Sequence, residues 1–260
     1  MSVVLAVEGL SKLYGKKEAV SNLCFNVQQG ELIGLLGPNG AGKSSTLRMI
    51  AGCLAPTAGS VRITGFDIQE QPAAAKSRIG YLPEVPPLYP EMTAGEYLKF
   101  AQDLKCSSSG AETEEDSAWT QSLVKDLEIE KVMNVLIRNL SKGYRQRVGI
   151  AAAMAGRPAL LLLDEPASGL DPRQAVELRS LLKRISSNMA VIVSSHGLYE
   201  ISSLCTRIII MNKGRIVADG QPEELAKMSR VKTEAQENRN LELTTNLEEV
   251  FISLTDEGEI

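Results

Sequence analysis

The run Gly37-Pro38-Asn39-Gly40-Ala41-Gly42-Lys43-Ser44 follows the apolar stretch Leu32-Ile33-Gly34-Leu35-Leu36 and has the spacing Gly-x-x-x-x-Gly-Lys-Ser. Those residue types in that order bind phosphate. Glycines let the backbone turn its N–H groups inward around phosphate oxygens, with no Cβ in the way. The following residues read as a helix over 43–52, whose N-terminal end adds partial positive charge to the site. Lys43 is placed to reach β- and γ-phosphates, and Ser44 offers a hydroxyl to Mg²⁺. A buried strand before the loop and a helix after it separate this pattern from a chance turn. The run predicts binding of a nucleoside triphosphate.

Two further groups would turn a binding loop into a hydrolytic site. Leu160 to Leu163 is an apolar run ending in Asp164-Glu165-Pro166, so a buried strand delivers two carboxylates at its carboxyl end. Ligands bind at that end of α/β sheets. Asp164 is expected to hold Mg²⁺, directly or through water, and Glu165 to polarise the attacking water. The plain alternative is an acidic pair closing a strand before a proline turn; the phosphate loop argues against it. His196, the single histidine, follows Val191-Ile192-Val193-Ser194-Ser195 and reaches the same edge, within reach of the γ-phosphate position. Ser141, in Asn139-Leu140-Ser141-Lys142-Gly143-Tyr144, is a natural cap for a helix continuing through Ala155. Its free N–H groups at 142–144 form an anion site, although alone the segment reads as an ordinary capped helix.

Strands alternating with helices are needed to bring these residues to one edge. Strands are predicted at 3–8, 23–27, 31–36, 60–64 and 78–82, with the Gly15 to Lys17 region as the first turn. The segment Pro83 to Pro90 carries four prolines and must be irregular. From 93 to 155 the pattern is helical, with Thr93 capping a helix over Ala94 to Asp103. Cys106 to Ser117 reads as a surface loop whose acidic run, Glu112 to Asp116, is simply solvated. Apolar runs at 159–163, 189–194 and 207–211 predict buried strands of a parallel sheet covered on both faces. The sum is an α/β core with a helical sub-domain. Residues 221–260 are polar and helix-leaning, ending in the amphipathic segment Leu247 to Leu254.

The chain has 260 residues, 43% hydrophobic and 23% charged, enough for one large domain with a sub-domain. Its net charge of -4 excludes the overall basic surface that holds nucleic acid, and no nucleic-acid partner is expected. Cys24, Cys53, Cys106 and Cys205 form no C-x-x-C pair and read as buried or partly buried free thiols in a reducing compartment. No signal peptide and no apolar run long enough to span a membrane is visible, so a cytoplasmic location is expected, with any membrane role acting through a partner.

Taken together, the motifs resemble the nucleotide-binding subunit of an ATP-binding cassette (ABC) transporter over about residues 4–220. In that resemblance Gly37 to Ser44, with Ser45, is similar to the Walker A element and Leu160 to Asp164 to the Walker B element. Glu165 corresponds to the catalytic carboxylate, His196 to the switch histidine and Ser168 to Asp171 to the D-loop. Tyr14 resembles the aromatic residue that stacks on adenine, and Leu140-Ser141-Lys142-Gly143-Tyr144 the signature usually written Leu-Ser-Gly-Gly-Gln. Two departures stand out. Glu84 occupies the place of a glutamine, still able to reach Mg²⁺ or the lytic water, and Lys142 and Tyr144 replace Gly and Gln. The stretch Glu84 to Pro90 is similar to the exporter-type branch whose permease is a separate subunit.

The resemblance implies a P-loop NTPase (RecA-like) core with an N-terminal antiparallel β sub-domain and a helical sub-domain inserted at about 84–155. It implies an ATPase domain over 1–220 and a helical tail over 221–260. It also implies two ATP molecules and Mg²⁺ between paired chains, expected to be identical. Each ATP would be held by Lys43, Ser44 and Asp164 of one subunit and capped by Ser141 and Gly143 of the other, beside Asp171. The partner would be an integral-membrane permease, met through the irregular 83–92 segment and the helical insertion, which places the chain peripherally on the cytoplasmic face. The rival is a soluble ABC-type ATPase that remodels a cytosolic complex. A single cassette, no basic linker and an acidic balance weigh against it. The cargo is not legible.

Overall fold

The computed structural model describes residues 2–106, 114–187, 189–228 and 239–255. Two sheets organise them. Strands β1 (Val3–Tyr14) and β2 (Lys17–Gln28) form an antiparallel pair, extended by β4 (Ala58–Ile63) and β5 (Phe66–Asp67) in the order β2-β1-β4-β5. The first two strands are longer than the expected 3–8 and 23–27. Gly9, at φ +63° just past the expected end of the first, acts as a bulge, its N–H donating to Cys24 Sγ at 3.1 Å, and pairing resumes at Leu10.

The second sheet has six strands in the order β10-β9-β3-β8-β7-β6. They are β3 (Leu32–Leu36), β6 (Ile79–Leu82), β7 (Leu160–Asp164), β8 (Ala190–Ser195), β9 (Arg207–Asn212) and β10 (Arg215–Gly220). All neighbours are parallel except β10, which returns antiparallel on β9. The continuous apolar runs in the sequence reflect burial of both faces. Leu32, Leu36, Leu161, Leu163, Val191, Val193, Ile208 and Ile210 face one core, while Ile33, Leu35, Leu160, Leu162, Ile192, Ile209 and Met211 face the other. The first core is closed by α5 (Lys142–Ala153), α6 (Pro172–Ser186) and α7 (Leu198–Leu204); the second by α1 (Lys43–Ile50) and the antiparallel sheet.

Gly34, in the middle of β3, shows how closely α7 sits on the sheet. A Cβ there would lie 2.2 Å from Ile201 Cγ2 and 3.1 Å from Cys205 Sγ. Gly34→Ala is therefore expected to overpack this contact and cost about 1–3 kcal/mol. A urea titration would show a lower midpoint with an unchanged slope; an unchanged midpoint would refute that packing.

Helix α3 (Ala94–Cys106) begins with a reciprocal cap. The Thr93 N–H donates to Glu96 Oε2 at 2.7 Å and the Glu96 N–H to Thr93 Oγ1 at 3.2 Å. The Thr93 N–H and then its hydroxyl, both donating to Glu96 Oε2, hold the Glu96 carboxyl below the usual range. The expected loop over 106–117 is corrected at its end: α4 (Glu114–Asp126) already begins at Glu114, and residues 107–113 lie outside the described residues. Tertiary contacts start the helix early. Leu123 is buried and Trp119 Nε1 donates to Met154 O at 3.1 Å. At the described end of the acidic run, the exposed Glu115 and the partly buried Asp116 lie 3.1 and 3.8 Å from the Arg157 guanidinium; Glu112 and Thr113 lie outside the described residues. Among the cysteines whose side chains are described, Cys205 is buried, its thiol pushed up by desolvation, whereas Cys24 and Cys53 are exposed. Short helix α2 (Pro72–Lys76), with β5 and β10, had no counterpart in the sequence reading, whereas α8 (Pro222–Ala226) opens the stretch expected to be helical. The last helix, α9 (Arg239–Thr255), buries Leu247 and Val250, and Asn212 Nδ2 donates to its Leu254 carbonyl at 3.1 Å.

Candidate active site

The phosphate loop leaves the carboxyl end of β3 and enters α1 through Gly42, whose φ of +104° a side chain would strain. A Cβ at Gly42 would also meet the Ala19 carbonyl at 2.6 Å, and one at Gly37 the Met211 carbonyl at 2.4 Å. The loop is pinned from behind. The Gly214 N–H donates to Ala41 O at 3.0 Å, and Thr46 Oγ1 donates to Gly42 O at 2.9 Å. Lys43, only 6% exposed, directs its ammonium back over the loop, donating to Gly37 O at 2.7 Å and Pro38 O at 3.3 Å. A buried cation requires such partners.

In front of the loop lies a cleft of ≈ 530 Å³. Asn39, Gly40, Ala41, Gly42, Lys43, Ser44 and Ser45 form its base, and Tyr14, Glu84, Glu165 and His196 stand around it. Tyr14 is half exposed at the end of β1, with its hydroxyl 3.5 Å from Ser45 Oγ and Lys12 Nζ 5.4 Å from its ring centre.

The carboxylates come from the end of β7. Asp164, 2% exposed, accepts from Ser44 Oγ at 3.1 Å and from Ser194 Oγ at 2.6 Å, both at Oδ1. At Glu165 the chain turns into the left-handed region, φ +47°. Its carboxylate then lies 2.9 Å from His196 Nδ1 through Oε2 and 3.6 Å from Lys43 Nζ through Oε1. Tyr81, on the neighbouring β6, has its phenol pushed up by burial first and by the Asp164 charge second. It stays neutral beside the site.

Ser141, Gly143 and Asp171 do not line this cleft. They form a second cluster in which two helix N-termini meet. Ser141 caps α5 by accepting from the Tyr144 N–H at 3.3 Å, and Asp171 caps α6 by accepting from the Gln174 N–H at 2.9 Å. A Cβ on Gly143 would lie 3.0 Å from Gln174, so the two caps are packed together. A single chain thus holds two separate halves, a carboxylate-edged phosphate loop and a positive helix end.

Ser168, the first residue of the stretch that resembles the D-loop, lines the cleft; Lys17 and Ala19 also line it, and Ser194 ties the carboxylates together, and the sequence reading assigned these last three no role. Lys17 could have been noticed, since it pairs with Tyr14 across the first hairpin. Among the described residues no group of three or more His, Cys, Asp or Glu side chains is placed to hold a metal ion. The Ser44 hydroxyl beside Asp164 does fit Mg²⁺, which takes hard oxygen ligands and, next to phosphate, needs few from the protein. No described helix is long and apolar enough to cross a membrane.

Comparison with known proteins agrees with this geometry. Residues 20–168 match the family described as ABC transporter. The chain is 36% identical over 222 residues to the uncharacterized ABC transporter ATP-binding protein YxlF of Bacillus subtilis (strain 168), covering 85% of this chain and 72% of that one. It is 33% identical over 231 residues to the lipopolysaccharide export system ATP-binding protein LptB of Escherichia coli (strain K12), covering 88% and 95%. Among solved structures, the ATP-binding subunit of an ABC transporter superposes with a TM-score of 0.80 at 27% identity, covering 96% of this chain and 99% of that one. An ATP-binding cassette solved as a dimer in a post-hydrolysis state, bound to ADP and Pi, superposes with a TM-score of 0.74 at 27% identity, covering 84% and 98%. The expected fold is borne out. ATP-binding subunits of this family dimerise and work with membrane permease subunits. The chain belongs to the ABC transporter family, as an ATP-binding and ATP-hydrolysing subunit.

Proposed function

We propose that two copies of this chain pair head to tail around two ATP molecules and use their hydrolysis to drive a separate permease in export. The observation that carries this reading is the placement of Glu165 between His196 Nδ1 and Lys43 Nζ at the mouth of the phosphate-loop cleft.

Tyr14 stacks on the adenine, and the backbone N–H groups of residues 39–45 and the α1 N-terminus take the phosphates. Lys43 exchanges its Glu165 contact for the β- and γ-phosphate oxygens. Ser44 and Asp164, with Glu84, which also lines the cleft, would hold Mg²⁺, which neutralises charge on those oxygens. The loop surrounds the terminal phosphate on one side only. Ser141 and Gly143 of the second copy close the other side with a positive helix end, Asp171 lying beside that contact. Glu165, freed from the ammonium, accepts a proton from the attacking water. His196 holds the Glu165 carboxylate in place and meets the γ-phosphate. Loss of that phosphate removes what held the two copies together, and the pair reopens.

The motion reaches the permease through the 83–92 segment. Val85 and Tyr89 are exposed there, with Tyr89 packed edge-on to Phe100 at 5.6 Å between ring centres. Behind them a groove of ≈ 280 Å³ opens between Cys53 and Tyr81 of the core and Tyr97 and Gly149 of the helical layer. A cytoplasmic segment of a membrane protein fits this partly apolar groove. The chain then sits peripherally on the cytoplasmic face. Export is favoured by the likeness to LptB, a protein of an export system.

Co-extraction tests the assignment. Detergent solubilisation of the native membrane is expected to recover the chain with a polytopic membrane protein. Recovery instead with ribosomes or a soluble scaffold would contradict it.

A further inference from the structure

We infer that Ser194 is a positioning residue of the hydrolytic site, a clip that sets the relative placement of Asp164 and Glu165. The inference rests on the roles proposed above for those two carboxylates.

The hydroxyl of Ser194 is fully buried and has two directed bonds. It donates to Asp164 Oδ1 at 2.6 Å and accepts from the Glu165 N–H at 2.9 Å. One atom therefore fixes a side chain and the backbone of consecutive residues on the neighbouring strand. The register explains why the bond is needed. Ser194 sits directly opposite Asp164 in the parallel β7–β8 pair, and this is the last pair of that ladder. Glu165 lies past the end of the ladder, its backbone turning away at φ +47°, and its N–H meets the Ser194 hydroxyl. A buried N–H without an acceptor is costly, and a left-handed non-glycine residue persists only where its surroundings fix it. Ser194 supplies the acceptor and, through it, the turn that sends the Glu165 carboxylate toward His196 and Lys43. Its other bond occupies the same Asp164 oxygen that accepts from Ser44, which holds that carboxylate against the phosphate loop. Ser195, next in the chain, differs. Its hydroxyl donates to Glu200 and accepts from the Gly197 N–H, away from both carboxylates.

Ser194→Ala removes both bonds at little cost in volume. Partners of metal-binding carboxylates typically contribute 10- to 100-fold, so kcat should fall by roughly that factor while ATP affinity in EDTA stays within about threefold. The Mg²⁺ concentration for half-maximal turnover should rise. A readout independent of turnover is amide exchange, and the Glu165 N–H should exchange faster in Ser194→Ala without nucleotide. Ser194→Thr keeps a hydroxyl on a strand and should restore kcat to within about fivefold. Should the alanine variant fail to fold, Ser194→Cys, close in size and weak as a donor, should show the same loss of kcat with a native melting curve.

A lowered melting temperature with unchanged kcat, unchanged Mg²⁺ dependence and unchanged exchange at Glu165 would overturn the proposal, leaving Ser194 a packing residue. Glu165→Gln run in parallel separates the two levels of the account. If that variant hydrolyses ATP normally, the role of Glu165 fails; if it is inactive while Ser194→Ala is fully active, only the clip fails.

Discussion

Glu165→Gln is expected to abolish turnover and leave ATP bound. Glutamine keeps the size of the side chain and can still meet His196 Nδ1, now 2.9 Å from Oε2. It cannot accept a proton from water. General base catalysis contributes about 10²- to 10⁴-fold, and kcat should fall by at least that range. Binding should hold or tighten, because the substitution removes a negative charge 3.6 Å from the ammonium that must receive the phosphates. Phosphate release gives the first quantity and titration calorimetry the second. A variant that turns over at the wild-type rate would remove Glu165 from the chemistry.

Lys43→Ala should do the opposite and destroy binding. Its ammonium is the buried positive charge at the base of the cleft, held by Gly37 O, Pro38 O and Glu165. A triphosphate would lose that partner and would face the Glu165 carboxylate unshielded. Truncating one member of a buried charged hydrogen-bonded pair costs about 2–5 kcal/mol. That corresponds to a loss of ATP affinity from about 30-fold to several thousandfold. The folded protein should suffer less, since the two loop carbonyls can be reached by water from the cleft. Calorimetry showing wild-type affinity for ATP in a folded Lys43→Ala protein would contradict this site.

The phosphate loop, Asp164-Glu165 and His196 were legible because each is a short local pattern attached to a buried strand. Their meeting at one edge follows from parallel pairing of β3, β7 and β8, which long apolar runs announce. Ser194 was hidden for the converse reason. Its partners are 29 and 30 residues away, and only the register of β7 on β8 puts them opposite one another. The early start of α4 was hidden too, because Trp119, Leu123 and Arg157 anchor it through contacts that no local pattern shows. The separation of Ser141 and Gly143 from the cleft lay in between. The cap at Ser141 was plain from sequence, but its proposed nucleotide contact rests only on family resemblance.

That separation makes the paired arrangement the decisive point. Sedimentation of the Glu165→Gln protein with and without saturating MgATP measures it directly. One species of twice the chain mass with ATP, and the 28.1 kDa chain without it, is the predicted result. A protein that binds ATP yet sediments as a single chain throughout would contradict a nucleotide closed between two copies.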